Sequence, residues 1–116
     1  MTPAQFEALT RKFHKAMVDL YHRTLHETGY KAGLFLKMLN ERGGRITAKD
    51  LINNPKIAQE GFTELCLLKR LDLTVEAYVM EHPQYWPLFT PEERRLATLR
   101  LRFHEYKIRA PEIGAL

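Results

Sequence analysis

Two four-residue signals near opposite ends of the chain restrict its fold more than any other feature. Thr2-Pro3-Ala4-Gln5 and Thr90-Pro91-Glu92-Glu93 each place a hydroxyl at an N-cap, a proline at the first helical position and a Gln or Glu at the third. That order satisfies the free amides of a first helical turn reciprocally, so each signal predicts the start of a long helix. From Pro3, Phe6, Leu9, Phe13, Met17 and Leu20 recur at intervals of three and four, and Thr28-Gly29 offers a left-handed stop, which predicts a helix over about 3–28. A second apolar set, Val18, Tyr21 and Leu25, calls for more than one neighbour around its C-terminal half.

The middle of the chain reads as several short helices. Leu34, Phe35, Met38 and Leu39 form one, closing at a turn made by Gly43-Gly44. Thr47-Ala48-Lys49-Asp50 is expected to cap the next, which carries Leu51 and Ile52 and ends at Asn53-Asn54-Pro55 because proline disfavours helical geometry before it. After a loop to Gly61, Phe62, Leu65, Cys66, Leu68 and Leu71 repeat at helical spacing; Asp72 to Thr74 breaks the chain before a short helix with Val75, Tyr78 and Val79, stopped by His82-Pro83. Pro83 and Pro87 mark the segment Gln84 to Phe89 as an irregular aromatic loop, and the last helix runs over about 91–108. No strand pattern remains. The expectation is an all-α fold, a single compact bundle of about six helices spanning 1–116, with long first and last helices and short ones between.

A chain of 116 residues with 45% hydrophobic and 10% aromatic content has enough apolar material for an unaided core. The single Cys66 excludes an internal disulfide framework and a cysteine-rich zinc site. The lack of a long apolar run argues against a spanning helix, a signal peptide and membrane association, so the expected location is the cytoplasm.

The elements Gly29-Tyr30, Phe35-Leu36-Lys37-Met38-Leu39, Gly43-Gly44, Thr47-Ala48-Lys49, Gly61-Phe62-Thr63-Glu64-Leu65, Arg70-Leu71-Asp72-Leu73-Thr74-Val75-Glu76 and Leu88-Phe89-Thr90 with Glu93 together resemble a recurrent small bacterial helical module. That module occurs alone or as the tail of larger proteins, some similar to defence-associated nucleases. The resemblance extends over about 21–103, is moderately specific, and brings no catalytic residues. It implies one cooperative unit. Similar sequences often carry a tryptophan close to the position of Cys66, so the resemblance implies different local packing here.

On a helical wheel of about 100° per residue, the last helix divides into three faces. Leu96, Leu99, Phe103 and Tyr106 share one; Arg94, Arg95, Arg102 and Arg109 share another; Ala97, Leu101 and Ile108 make a smaller apolar stripe. Two apolar stripes exceed what a terminal helix needs, which points to self-association or a protein partner docking through Leu101 and Ile108, weighed against plain packing between the first and middle helices. The arginine row suits phosphate or carboxylate better than a merely solvated surface requires. Arg11, Lys12 and Lys15 form a second basic cluster that extends the patch if the terminal helices are neighbours. Acidic residues are spread throughout and the net charge is only +4, so nucleic acid is the second reading, through phosphates rather than bases. The aromatic residues Tyr85 and Trp86 read either as a plug closing the core or as an exposed protein anchor.

Enzymatic chemistry has little support in the sequence. His22 and His26 with Asp19 lie on one helical face, but no second ligand pair accompanies them, so no metal or cofactor is expected. Arg100 and His104 are too closely spaced for the helical ribonuclease signature, and Glu105-Tyr106-Lys107 lies in a predicted helix rather than on a nuclease strand. Cys66, flanked by leucines, reads as core. No glycine-rich phosphate loop, nucleophile triad or small-molecule substrate site is legible. Residues 47–71 make a poor helix-turn-helix, because leucines stand where base-reading side chains belong. The expectation is a non-catalytic adaptor that binds a protein partner or its own copy.

Overall fold

The computed structural model describes residues 1–57 and 59–109. Six α-helices follow one another: α1 (Pro3–Thr28), α2 (Gly33–Arg42), α3 (Gly44–Asn53), α4 (Gln59–Leu67), α5 (Val75–Glu81) and α6 (Pro91–Phe103). Two 3-10 segments, Leu71–Leu73 and Pro83–Leu88, connect the later helices, and no strand occurs among the described residues. The all-α bundle follows from the caps. Thr2 and Thr90 both form the complete reciprocal arrangement with Gln5 and Glu93, and Gly29 ends α1 at φ 76°.

α1 packs on α2 and α3, while α6 packs on α5 and α3. The core between them takes Phe13, Met17 and Leu20 from α1, Met38 and Leu39 from α2, Ala48 and Ile52 from α3, and Val79, Ala97 and Leu101 from α5 and α6. Burying such side chains stabilises the fold by about 1.5–3 kcal/mol each before entropy is counted.

The third helix starts earlier than its sequence suggests. Gly43 alone makes the turn, at φ 81°, and Gly44 is already helical. Thr47 is therefore not a cap: it lies inside α3, fully buried, with its hydroxyl unpartnered. The capping role passes to a residue of another helix, because the unprotonated Nδ1 of His14 accepts from the Gly44 amide at 2.9 Å. Gly44 is pressed so closely on α1 that a Cβ there would sit 2.7 Å from the His14 Cα. Since backbone cannot swing aside as a side chain does, Gly44→Ala is expected to lower the unfolding free energy by about 1–3 kcal/mol, read as a lower urea midpoint at unchanged slope.

The aromatic segment is more regular than a loop. Residues Pro83–Leu88 wind as a 3-10 helix, which accepts Pro83 at its first position and carries Pro87 within. Such short 3-10 pieces need few amide donors. The Trp86 indole donates to the Val79 carbonyl at 2.8 Å, Tyr85 meets the edge of Phe13 at 5.1 Å, and Leu88 and Phe89 are buried. The segment closes one side of the core.

Two helices end at a left-handed residue that is not glycine. At the end of α4, Lys69 takes φ 58°, with Arg70 N–H donating to the Leu65 carbonyl and Lys69 N–H to that of Cys66. Glu105 takes φ 59° after α6, with Tyr106 donating to Leu101 and Glu105 to Arg102. Both are paired Schellman bonds around a left-handed residue. The second stops α6 five residues short of its expected end, so Tyr106, Ile108 and Arg109 leave the helix. Tyr106 Oη and the Arg109 amide then donate to Glu81 Oε2 at 2.6 and 2.8 Å.

Candidate interaction site

The rotation of α6 about its axis decides which of its faces a partner meets, and two polar side chains set that rotation. Glu93 completes the N-terminal cap and also accepts from Lys49 Nζ at 2.6 Å and Asn53 Nδ2 at 2.7 Å, tying α6 to α3. Burial alone would push its carboxyl up, but the hydrogen bonds from Lys49, the Thr90 amide and Asn53 hold it below the usual carboxylate range. Seven residues on, Arg100 donates to Glu76 Oε2 of α5 at 2.6 Å and to the Pro55 carbonyl at 3.2 Å, and stacks 4.3 Å over Phe62. Burial pushes the Glu76 carboxyl up, opposed by the charge of Arg100.

Glu93 and Arg100 are two helical turns apart and point the same way. With both pinned inward, Ala97 and Leu101 go into the core. Leu99 and Phe103 go out, 47% and 83% exposed. The smaller stripe is thus the buried one, while the larger is divided: Leu99 and Phe103 face out and Leu96 packs against the core. Leu101 is fully buried and unavailable to any partner, which corrects its expected place in an interface. Ile108 is half-buried beyond the end of α6.

The end of α6 reaches α4. His104, next to Phe103, lies 5.0 Å from the Phe62 ring and 3.9 Å from the Cys66 sulfur, so the ends of α6 and α4 meet. Leu67 and Leu68, at the end of α4, are 74% and 40% exposed. Cys66 is half-buried at this edge rather than in the core. Sequence reasoning missed Leu68, Leu99 and Phe103 as surface residues because each matched an apolar period, and it passed over Leu67, which falls outside that period, as a mere flank of Cys66.

The basic residues sort differently from their expected row. Arg94 is half-buried over the Trp86 ring at 5.1 Å, Arg95 pairs with Glu92 at 2.8 Å, and Arg109 is exposed beyond the helix. Arg102 is exposed, with no ion pair among the described residues. On the wheel, Arg95 and Arg102 lie together along one side of the Leu99 and Phe103 stripe. Arg11, Lys12 and Lys15 are exposed on α1, whose packing partners are α2, α3 and the Pro83–Leu88 segment rather than α6, so they do not extend the arginine row. Tyr85 and Trp86 are half-buried and held by the core contacts given above.

Two concavities complete the surface. A half-enclosed cavity of about 70 Å³ is walled by Tyr21, Tyr30, Phe35 and Phe62, with Glu76 and Arg100 at one side. These two charges are paired with each other. An open groove of about 460 Å³ lies between α1 and the Tyr78 and Tyr85 side chains. Among the described residues no three His, Cys, Asp or Glu side chains are grouped to hold a metal ion, and no helix is long and apolar enough to cross a membrane.

These features define an all-α bundle with an unpartnered apolar stripe on its last long helix. No protein-family model matches the chain, and no curated protein or solved structure does either.

Proposed function

We infer that the protein is a non-catalytic docking module whose outward α6 residues, Leu99 and Phe103, receive an acidic amphipathic segment of a protein partner. The observation that carries this reading is Phe103, 83% exposed next to a fully packed core, with Leu99 one turn before it. An aromatic anchor with an apolar neighbour and arginines at the rim has the composition of an interface centre and edge. Charge selects the kind of partner. Arg102 is exposed beside Leu99 and Phe103, and the chain carries a net charge of +4, so a second copy would bring like charges together across a two-fold axis. An acidic partner is attracted instead.

The test is a pair of captures from a lysate of the native host, one with the wild-type chain and one with Leu99→Ser/Phe103→Ser, compared by mass analysis. Both side chains are largely exposed, so the variant is expected to melt with the wild type while losing the captured partner by tenfold or more in affinity, the effect of about 1.4 kcal/mol. Equal capture by both chains overturns the reading, as does a dimer in sedimentation that the double substitution dissolves. Reversing Arg95 and Arg102 to Glu is expected to slow association with an acidic partner and to reduce its salt dependence.

A further inference from the structure

The groove beside α1 lies away from the α6 stripe, and its chemistry is of another kind. Lys12, Lys15 and Arg23 line it from α1 with Asp19 between them, and Tyr78 and Tyr85 line it opposite. Arg23 is already engaged, with Glu27 at 2.6 Å and Asp72 at 3.8 Å. Lys12 and Lys15 are exposed, three residues apart on one helical face, with no ion pair among the described residues. The groove therefore presents two ammonium groups at one end and the Asp19 carboxylate farther along, an arrangement that attracts one or two phosphates and repels a longer run of them.

The aromatic wall is held in place before any ligand arrives. His82 stacks on Tyr78 with ring centres 3.8 Å apart and planes at 14°, while its Nδ1 lies 2.7 Å from the Tyr78 carbonyl. Tyr85 sits edge-on to the buried Phe13 and 6.2 Å from Tyr78, with planes 29° apart. The two half-buried rings line one wall of the groove in fixed orientation, one face of Tyr78 being covered by His82, and an aromatic wall of this kind takes a flat ring without sequence preference. Phenol hydroxyls and the Asp19 carboxylate supply hydrogen-bonding groups at its edge.

We propose that this groove binds a nucleotide unit, its phosphate held by Lys12 and Lys15 and its base laid against Tyr78 and Tyr85. Free nucleotides and single-stranded nucleic acid share that chemistry. A duplex does not, because its bases are stacked away from the tyrosines. The proposal is independent of the α6 docking surface, since none of its residues lies on that helix.

The experiment is a titration of the full chain, followed by the ring resonances of Tyr78 and Tyr85, with adenosine monophosphate, a short oligothymidylate, the matching duplex and inorganic phosphate as separate probes. Either of the first two is expected to shift both rings saturably, whereas duplex and phosphate leave them in place. A mononucleotide that binds as tightly as the oligomer identifies a free nucleotide as the source; a markedly tighter oligomer identifies a single strand. In Lys12→Gln/Lys15→Gln, which alters only exposed side chains, binding is expected to weaken about tenfold. The oligomer's salt slope should fall by about 0.7, the share of the one phosphate that the two lysines hold. Wild-type affinity in that variant overturns the proposal. So do displacement by inorganic phosphate with unmoved rings, binding of duplex as tight as single strand, and the absence of saturable binding by any probe.

Discussion

Arg100→Met is expected to destabilise the protein by about 3–5 kcal/mol, the effect of removing one partner from a buried ion pair. Only 19% of the Arg100 side chain and 5% of the Glu76 side chain reach solvent. Without the guanidinium, Glu76 keeps a carboxylate in an apolar wall made with Phe62, Tyr30 and Phe35, and the Pro55 carbonyl loses its donor. The loss should appear in urea denaturation as a lower midpoint at similar slope. A second substitution, Glu76→Leu, is expected to restore most of the stability in the Arg100→Met background, because two apolar side chains of similar volume leave no charge to desolvate. If the double variant is no more stable than Arg100→Met, the ion pair is not the source of the loss.

Glu93→Ala is expected to cost about 3 kcal/mol, since it removes the cap of α6 and leaves the half-buried Lys49 without its counter-ion. Its pH dependence carries a definite sign. The folded carboxyl titrates below the ordinary 4.5 while the unfolded one titrates near it, so the stabilisation is complete above that value and is lost as the pH falls through the folded one. Glu27 and Asp72, both lowered within the Arg70 network, add to the same acid limb. Glu76 has the opposite sign. Its pKa is raised by burial, so its contribution is complete below the ordinary 4.5 and declines as the pH rises through the raised value. Unfolding measured between pH 3 and 7 should therefore show a shallower acid limb in Glu93→Gln, whereas Glu76→Gln keeps the acid limb and loses the decline as the pH rises above 4.5; an unchanged limb in Glu93→Gln contradicts the assignment.

The candidate site was legible in the sequence only in part. That α6 carries two apolar stripes and an arginine row followed from its spacing alone. Which stripe faces solvent did not, because Glu93 finds Lys49 44 residues away and Arg100 finds Glu76 24 residues away. Arg94 illustrates the same limit: it reads as surface charge until Trp86 is seen beneath it. The groove beside α1 was half legible, since Lys12 and Lys15 stood out as a basic cluster, but the tyrosines opposite belong to elements more than 60 residues on.

Helix existence and the starts of α1 and α6 were written in the chain itself, because a cap satisfies its amides within four residues and an apolar period needs no partner to be recognised. The start of α3, the left-handed ends at Lys69 and Glu105, and the outward turn of Phe103 came from tertiary contact. There the deciding partners are distant in sequence, and Gly44 against His14 or Arg100 against Glu76 acquires meaning only once packing has excluded water and made an unpaired amide or charge expensive.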